Sequence, residues 1–209
     1  MEEFDPAPYV EDLENMARYG KRSPHADGWG VWILGSHGLF YHKETSPIWE
    51  RSIEKFPPAR ILFAHARKKG KKGARIAIEN THPFVSHGAV FMHNGSIDIE
   101  HGDACGETDS ERLFMNILHR GLWNTLCEID SYNFTAINFV LYKDGKVYAV
   151  RKVKSEKSRD YYTLYYRSAS GRVIITTEGP GTLLENGTVL SVDEDTNFEV
   201  LPVCPGMFR

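Results

Sequence analysis

Cysteine is scarce in this chain. Its three copies, Cys105, Cys127 and Cys204, stand far apart among 209 residues, a spacing that predicts neither a disulfide framework nor a zinc knuckle. Long hydrophobic runs are lacking too. No apolar stretch reaches bilayer-spanning length, and the opening MEEFDPAPY is acidic, with no signal-peptide core. Nor does one sign of charge prevail: 25 Lys and Arg against 28 Asp and Glu leave a formal net charge of −3. That balance argues against a nucleic-acid or anionic-membrane surface. Together these absences predict a cytoplasmic, reduced protein. One basic stretch, Arg67 to Arg75 (RKKGKKGAR), reads as a solvated loop rather than a phosphate-binding patch. Repeats, low-complexity tracts and linkers are missing as well, so residues 1–209 read as a single domain, with 41% hydrophobic residues to build its core.

Along the chain, Val10, Leu13, Met16 and Ala17 recur at helical spacing and predict a helix from Val10 to Tyr19, stopped by Gly20. A tight glycine loop, His25 to Gly30 (HADGWG), leads into a hairpin of Val31 to Leu34 and Leu39 to His42. Ser46-Pro47 predicts a second helix ending before Pro57-Pro58. Arg60 to Ala66 is a nearly continuous apolar run, predicting a strand covered on both faces. Thr108 with Glu111 reads as a capping box, opening a helix with Leu113, Phe114, Ile117 and Leu118 as its apolar stripe. From Phe134 onward short strands alternate with turns. They run over 134–142, 146–151, 161–166, 172–177, 188–191 and 198–203. This order predicts an α+β fold with antiparallel sheets rather than a doubly wound one.

The stretch with most chemistry in it is Val90 to Asp98, VFMHNGSID. Three apolar residues run into His93-Asn94-Gly95, which predicts a strand delivering a sharp turn. An Asn amide beside a Gly N–H is the donor pair that a tetrahedral oxyanion needs. Three more segments accompany it: AHAR ending in Arg67, NTHPF around His82, and ETDSE around Asp109.

In this order and at these separations the four segments resemble the class II glutamine amidotransferases, whose glutaminase domains have the N-terminal-nucleophile fold. The HADGWG loop is most similar to the stand-alone branch of that family. The resemblance covers about two-thirds of the chain, with a weaker echo at Thr177-Glu178. It implies a four-layer αββα sandwich of two antiparallel sheets. It also implies a site in which Arg67 pairs with the α-carboxylate of glutamine and Asp109 accepts from the α-ammonium. Asn94 and Gly95 would stabilise the oxyanion, and His82 would line the pocket. No cofactor and no metal are implied. The expected partners are glutamine or a γ-glutamyl small molecule and an ammonia-accepting synthase on another chain, with no nucleic acid and no membrane.

The family's nucleophile is a cysteine at the start of the mature chain, on a short first strand. Neither is present ahead of the predicted helix in this sequence, which begins Met1-Glu2-Glu3-Phe4. Cys105 is the only local substitute, and a loop thiol without its own α-amine needs another base. Two readings therefore compete. In one, an amide hydrolase uses a cysteine upstream of Met1. In the other, a catalytically silent module binds glutamine or a γ-glutamyl compound. A metal-dependent hydrolase using His25, Asp27, His65, His82 and His93 ranks below both, because no short ligand spacing supports it.

Overall fold

The computed structural model describes residues 2–70 and 74–204. The chain divides into two compact units, one of Met1–Phe84 with Gly106–Thr108, the other of Val85–Cys105 with Asp109–Arg209.

In the first unit, helix α1 (Ala7–Tyr19) starts three residues before its apolar stripe, because Pro6 precedes it and Asp5 Oδ1 accepts the Ala7 N–H at 3.0 Å. Gly20 ends it with φ −75°, an extended exit rather than a left-handed glycine cap. Val10 and Ala17 pack with Trp29, Val31, Ile48 and Ala66 in one buried cluster. These residues back a three-stranded antiparallel sheet of β1 (Trp29–Gly35), β2 (Gly38–Glu44) and β3 (Ile61–Ala66), in the order β2-β1-β3. Strand β3 is not covered on both faces. It lies at the edge of this sheet, with only Phe63 and Ala66 fully buried.

The helix expected from Ser46-Pro47 does not form, leaving one 3-10 turn, Ile48–Glu50. Its polar groups are taken by Glu44. That carboxylate accepts from Ser46 Oγ at 2.8 Å and from the Ser52 N–H and Oγ at 3.1 and 2.5 Å, and pairs with His42 Nε2 at 2.9 Å. Burial works against its charge, but the bonds from Ser52, His42 and Ser46 outweigh it and hold Glu44 down at about 2.

The second unit centres on a six-stranded antiparallel sheet. Strands β4 (Phe84–Ser86), β5 (Ala89–Ile97), β6 (Phe134–Lys143), β7 (Lys146–Arg151), β11 (Thr188–Val192) and β12 (Phe198–Pro202) run β12-β11-β7-β6-β5-β4. Helices α2 (Asp109–Arg120) and α3 (Leu122–Glu128) cover one face, and Gly121 at φ 84° separates them. Phe91 stacks against Phe114 at 5.2 Å and meets Phe139 at the same distance, while Trp123 meets Tyr148 edge-on. On the other face Ala149, Leu190 and Val140 pack with Leu164, Leu184, Tyr166, Val173 and Ile175. Several of these belong to a small sheet of β8 (Tyr165–Ala169), β9 (Arg172–Thr176) and β10 (Thr182–Leu183). Tyr161 and Tyr162, expected in a strand, lie in a turn before β8.

The cysteine expectation is corrected here. Cys127 near the end of α3 and Cys204 after β12 form a disulfide with Cα atoms 5.0 Å apart, although 77 positions separate them in sequence. Wide spacing concealed the pair, because the sheet returns distant chain segments to the same place. Disulfides are uncommon in reducing compartments, so cysteine usage no longer supports the cytoplasmic expectation. No helix among the described residues is long and apolar enough to cross a membrane.

Candidate functional site

Arg67 follows the end of β3 and is latched there by the glycine loop. Its N–H donates to the Gly28 carbonyl at 2.7 Å, and its carbonyl accepts the Asp27 N–H at 3.0 Å. Asp27 Oδ2 in turn accepts the Lys69 N–H at 2.8 Å. Gly28 makes this latch possible with φ 117°, where a side chain would be strained. The Arg67 side chain is 6% exposed. Nη1 donates to the Arg75 carbonyl at 3.1 Å and Nη2 to the Ala74 carbonyl at 3.0 Å. Thus the guanidinium organises its own loop while, among the described residues, Nε–H and one N–H on each terminal nitrogen have no acceptor. Burial pulls its pKa down, and the carboxylates of Asp27 and Glu107 push back. Residues 71–73 of the basic loop lie outside the described residues.

His82, in the same unit, is buried between two rings, with His65 at 4.3 Å and Phe84 at 4.7 Å between centroids. The His82–Pro83 bond is cis. His82 therefore sits in an aromatic stack, with the Tyr41 hydroxyl donating to the adjoining Pro83 carbonyl at 2.8 Å.

In the second unit, Asn94 and Gly95 do not form the expected turn. Strand β5 runs straight through them to Ile97, pairing Asn94 with Asn138 and Gly95 with Ile137. The Asn-Gly turn propensity is overridden by eight residues of pairing to β6. Glycine is still required. Gly95 has φ 147°, and a Cβ there would collide with the Ala136 carbonyl.

Strand pairing also decides where the Gly95 N–H points. The Ile137 N–H donates to the Lys152 carbonyl at 2.9 Å, so odd-numbered residues of β6 turn their polar groups toward β7. Even-numbered residues turn theirs toward β5, and Asn94 shares a backbone-bonded pair with Asn138. Gly95 consequently directs its N–H away from β6, toward the far edge of β5. Strand β4, only three residues long and joined through the His87-Gly88 turn, covers just the beginning of that edge. Two residues further along it, the Ile97 N–H donates to Asp109 Oδ2 at 2.8 Å. The structure thus brings the Gly95 amide and the Asp109 carboxylate to the same strand edge.

Asp109 opens α2, as its sequence position predicted. Glu111 reaches back past Thr108, and its Oε1 accepts the Cys105 N–H at 3.2 Å. Residue 105 carries a free, exposed thiol.

Two further residues act beside this edge, His93, which the sequence offered only as a metal-ligand candidate, and Asn138, which it did not single out. His93 is 4% exposed and directs Nε2 to the Ala136 carbonyl at 3.2 Å and Nδ1 to Ser110 Oγ at 2.9 Å. A carbonyl only accepts, so Nε2 carries the proton; burial favours the neutral ring, in which Nδ1 accepts from the Ser110 hydroxyl. Burial lowers its pKa, while Asp109 and the Ala136 carbonyl partly oppose. This bond pins the start of α2, and so Asp109, to β5. Asn138 faces Asn94 directly, with both side chains on the sheet face away from His93. It is 2% exposed, and neither Nδ2 nor Oδ1 has a hydrogen-bond partner among the described residues. Its signal in sequence was a single amide inside the strand run Phe134 to Tyr142.

The five metal-ligand candidates His25, Asp27, His65, His82 and His93 do not assemble. Among the described residues, none belongs to a group of three or more donors close enough to share one ion.

A protein of Escherichia coli (strain K12) named as a glutamine amidotransferase, YafJ, is 32% identical over 120 residues, which are 50% of this chain and 46% of that protein. The chain therefore spans about half the length of this curated relative. A solved class-II glutamine aminotransferase domain protein from Silicibacter pomeroyi superposes with TM-score 0.62 at 17% identity, covering 87% of this chain and 97% of that one. A solved allosteric regulatory enzyme of purine biosynthesis superposes with TM-score 0.66 at 15% identity, covering 98% of this chain and 48% of that one. These likenesses show an α+β sandwich of the N-terminal-nucleophile hydrolase type. The family described as "Glutamine amidotransferases class-II" matches residues 9–125, more than half of the sequence. The chain belongs to the class II glutamine amidotransferases.

Proposed function

We propose that this chain binds glutamine or a γ-glutamyl amide and supplies the substrate-holding and oxyanion-stabilising groups of an amidotransferase. Arg67 takes the α-carboxylate through its remaining N–H groups, an interaction favoured by the planar guanidinium fork. Asp109 takes the α-ammonium. The Gly95 N–H and Asn94 Nδ2 receive the negative charge that forms on the amide oxygen, with the Asn138 amide held beside Asn94 as a further donor. Loss of one such donor costs about a hundred- to a thousandfold in rate in enzymes of known mechanism. His82 lines the pocket rather than reacting.

Hydrolysis also needs a thiolate to attack the amide carbon, displace ammonia and leave a thioester for water to open. Cys127 and Cys204 are bonded to each other and Cys105 is a loop thiol, so the proposal assigns attack to a cysteine ahead of residue 1. Ammonia then passes to a synthase on another chain. A binding module without hydrolysis is the second reading, and the same geometry of Gly95 and Asp109 favours it. Sequencing the native N-terminus separates the two, since a mature chain beginning at Met1 removes the hydrolytic one.

The observation that carries the common part is the shared strand edge, where the Ile97 N–H holds the Asp109 carboxylate two residues from the Gly95 amide. Calorimetry with glutamine tests it. We expect saturable heat from the parent chain and loss of that heat in Arg67→Ala and Asp109→Ala. Equal heats from all three proteins would refute the binding role.

A further inference from the structure

Outside this site, the loop joining β5 to α2 carries a donor group that the amidotransferase reading does not use. One nitrogen each from His101 and His119 and one oxygen from Asp103 all lie within 4.8 Å of one another. His119 Nε2 is 3.5 Å from Asp103 Oδ2, and the two imidazoles meet edge-on with centroids 4.7 Å apart. His101 Nδ1 accepts the Asp103 N–H at 3.2 Å, a bond that gives way when either ring nitrogen takes an ion.

We propose that His101, Asp103 and His119 bind a divalent transition-metal ion, with zinc the best match. Donors at about 2.0–2.1 Å around a tetrahedral ion stand roughly 3.4 Å apart. The His119–Asp103 pair already has nearly that separation, at 3.5 Å, and the third donor, within 4.8 Å of both, needs to approach by at most about 1.4 Å. Gly102, between two of the ligands, has nothing within 4 Å of where a Cβ would stand, so the loop has room to adjust. Two imidazoles and one carboxylate suit zinc, nickel or copper better than magnesium or calcium. The stretch from Asp98 to Thr108 contains no Lys or Arg; Arg112 and Arg75 pair with its Glu100 and Glu107, which leaves Asp98 and Asp103 as its favourable charges for a cation. The side chains of His119 and Asp103 are 50% and 64% exposed, leaving water free to complete the coordination.

The ion would tie the loop to the last turn of α2, the helix whose first residue is Asp109. Metal thus becomes a clip across the segment that links the Gly95 strand to the Asp109 helix. The proposal is independent of whether glutamine binds.

The test uses the full chain, stripped with chelator and desalted, then titrated with zinc chloride by calorimetry and with cobalt(II) by visible absorption. One equivalent should bind with a dissociation constant below about 100 μM, and saturating zinc should raise the melting temperature. His119→Ala and His101→Ala should each weaken binding at least about tenfold. Cys105→Ser should bind as the parent does. Circular dichroism establishes that the variants remain folded, as the exposure of His119 leads us to expect. Three results would overturn the proposal: no saturable binding, parent-like affinity in both histidine variants, or loss on Cys105→Ser alone, which would place the metal on the thiol.

Discussion

Two regions of this protein are each built around a buried arginine, and they differ in what the arginine has left to give. Arg151, at the end of β7, is 4% exposed and commits all three nitrogens. Nε donates to the Tyr162 carbonyl at 3.0 Å, Nη1 to Leu184 at 2.9 Å and Nη2 to Arg159 at 3.2 Å. Burial lowers its pKa, as the neighbouring Arg159 charge also does. Arg67 is buried nearly as deeply but, among the described residues, commits only its two terminal nitrogens, once each, and has Asp27 and Glu107 supporting its charge. Burial therefore does not separate the two. Among the described residues Arg67 leaves three N–H groups uncommitted, Nε–H included, and Arg151 two, and the proposed carboxylate contact draws on that difference.

Breaking this comparison begins with Arg151→Ala. Three loop carbonyls would lose their donor at once, and we expect about 3 kcal/mol or more of stability to be lost in denaturant unfolding. Arg67→Ala removes donors from two carbonyls of its own loop, so its stability cost should be smaller, about 1–2 kcal/mol. Its effect on glutamine affinity should be large, about a hundredfold by calorimetry. If the two variants lose equal stability and Arg67→Ala binds normally, the distinction collapses.

Asn138→Leu sharpens the contrast from the other side. An amide with neither polar atom bonded among the described residues contributes no net stability, so replacing it should leave unfolding free energy unchanged or raise it by about 1 kcal/mol. Glutamine affinity or turnover should nevertheless fall. A large loss of stability would show that the amide is structural.

The smallest effect concerns pH. His93 has its pKa lowered below 6.5 in the fold, so the unfolded chain takes up a proton first as pH falls. Stability should therefore decline with acidification from about 6.5 down to the folded-state pKa, and His93→Gln should flatten that decline in unfolding midpoints. A parent profile identical to that of the variant would contradict the neutral, Asp109-positioning role.

Sequence reasoning read some parts well. Val10 and Ala17 announced α1, and Leu113, Phe114 and Ile117 announced α2, because helix periodicity is local. The α+β class followed from element order, and the family from four separated motifs. What failed depended on distant partners. Asn94-Gly95 looked like a turn because propensity cannot count the residues of β6 that pair with it. Ser46-Pro47 looked like a helix start because nothing local says that Glu44 will take the serine hydroxyls. Cys127 and Cys204 looked unrelated because only the return of β12 brings them together. Asn138 was invisible as a site residue until its register opposite Asn94 was known.

The central claim is that Arg67 holds the α-carboxylate of the same amide substrate whose carbonyl meets the Gly95 strand. A two-by-two binding cycle tests it most directly, pairing glutamine and 4-aminobutanamide, which lacks the carboxylate, with the parent chain and Arg67→Ala. The account predicts that removing the carboxylate weakens binding about a hundredfold in the parent and hardly at all in the variant. An equal penalty in both proteins would contradict it.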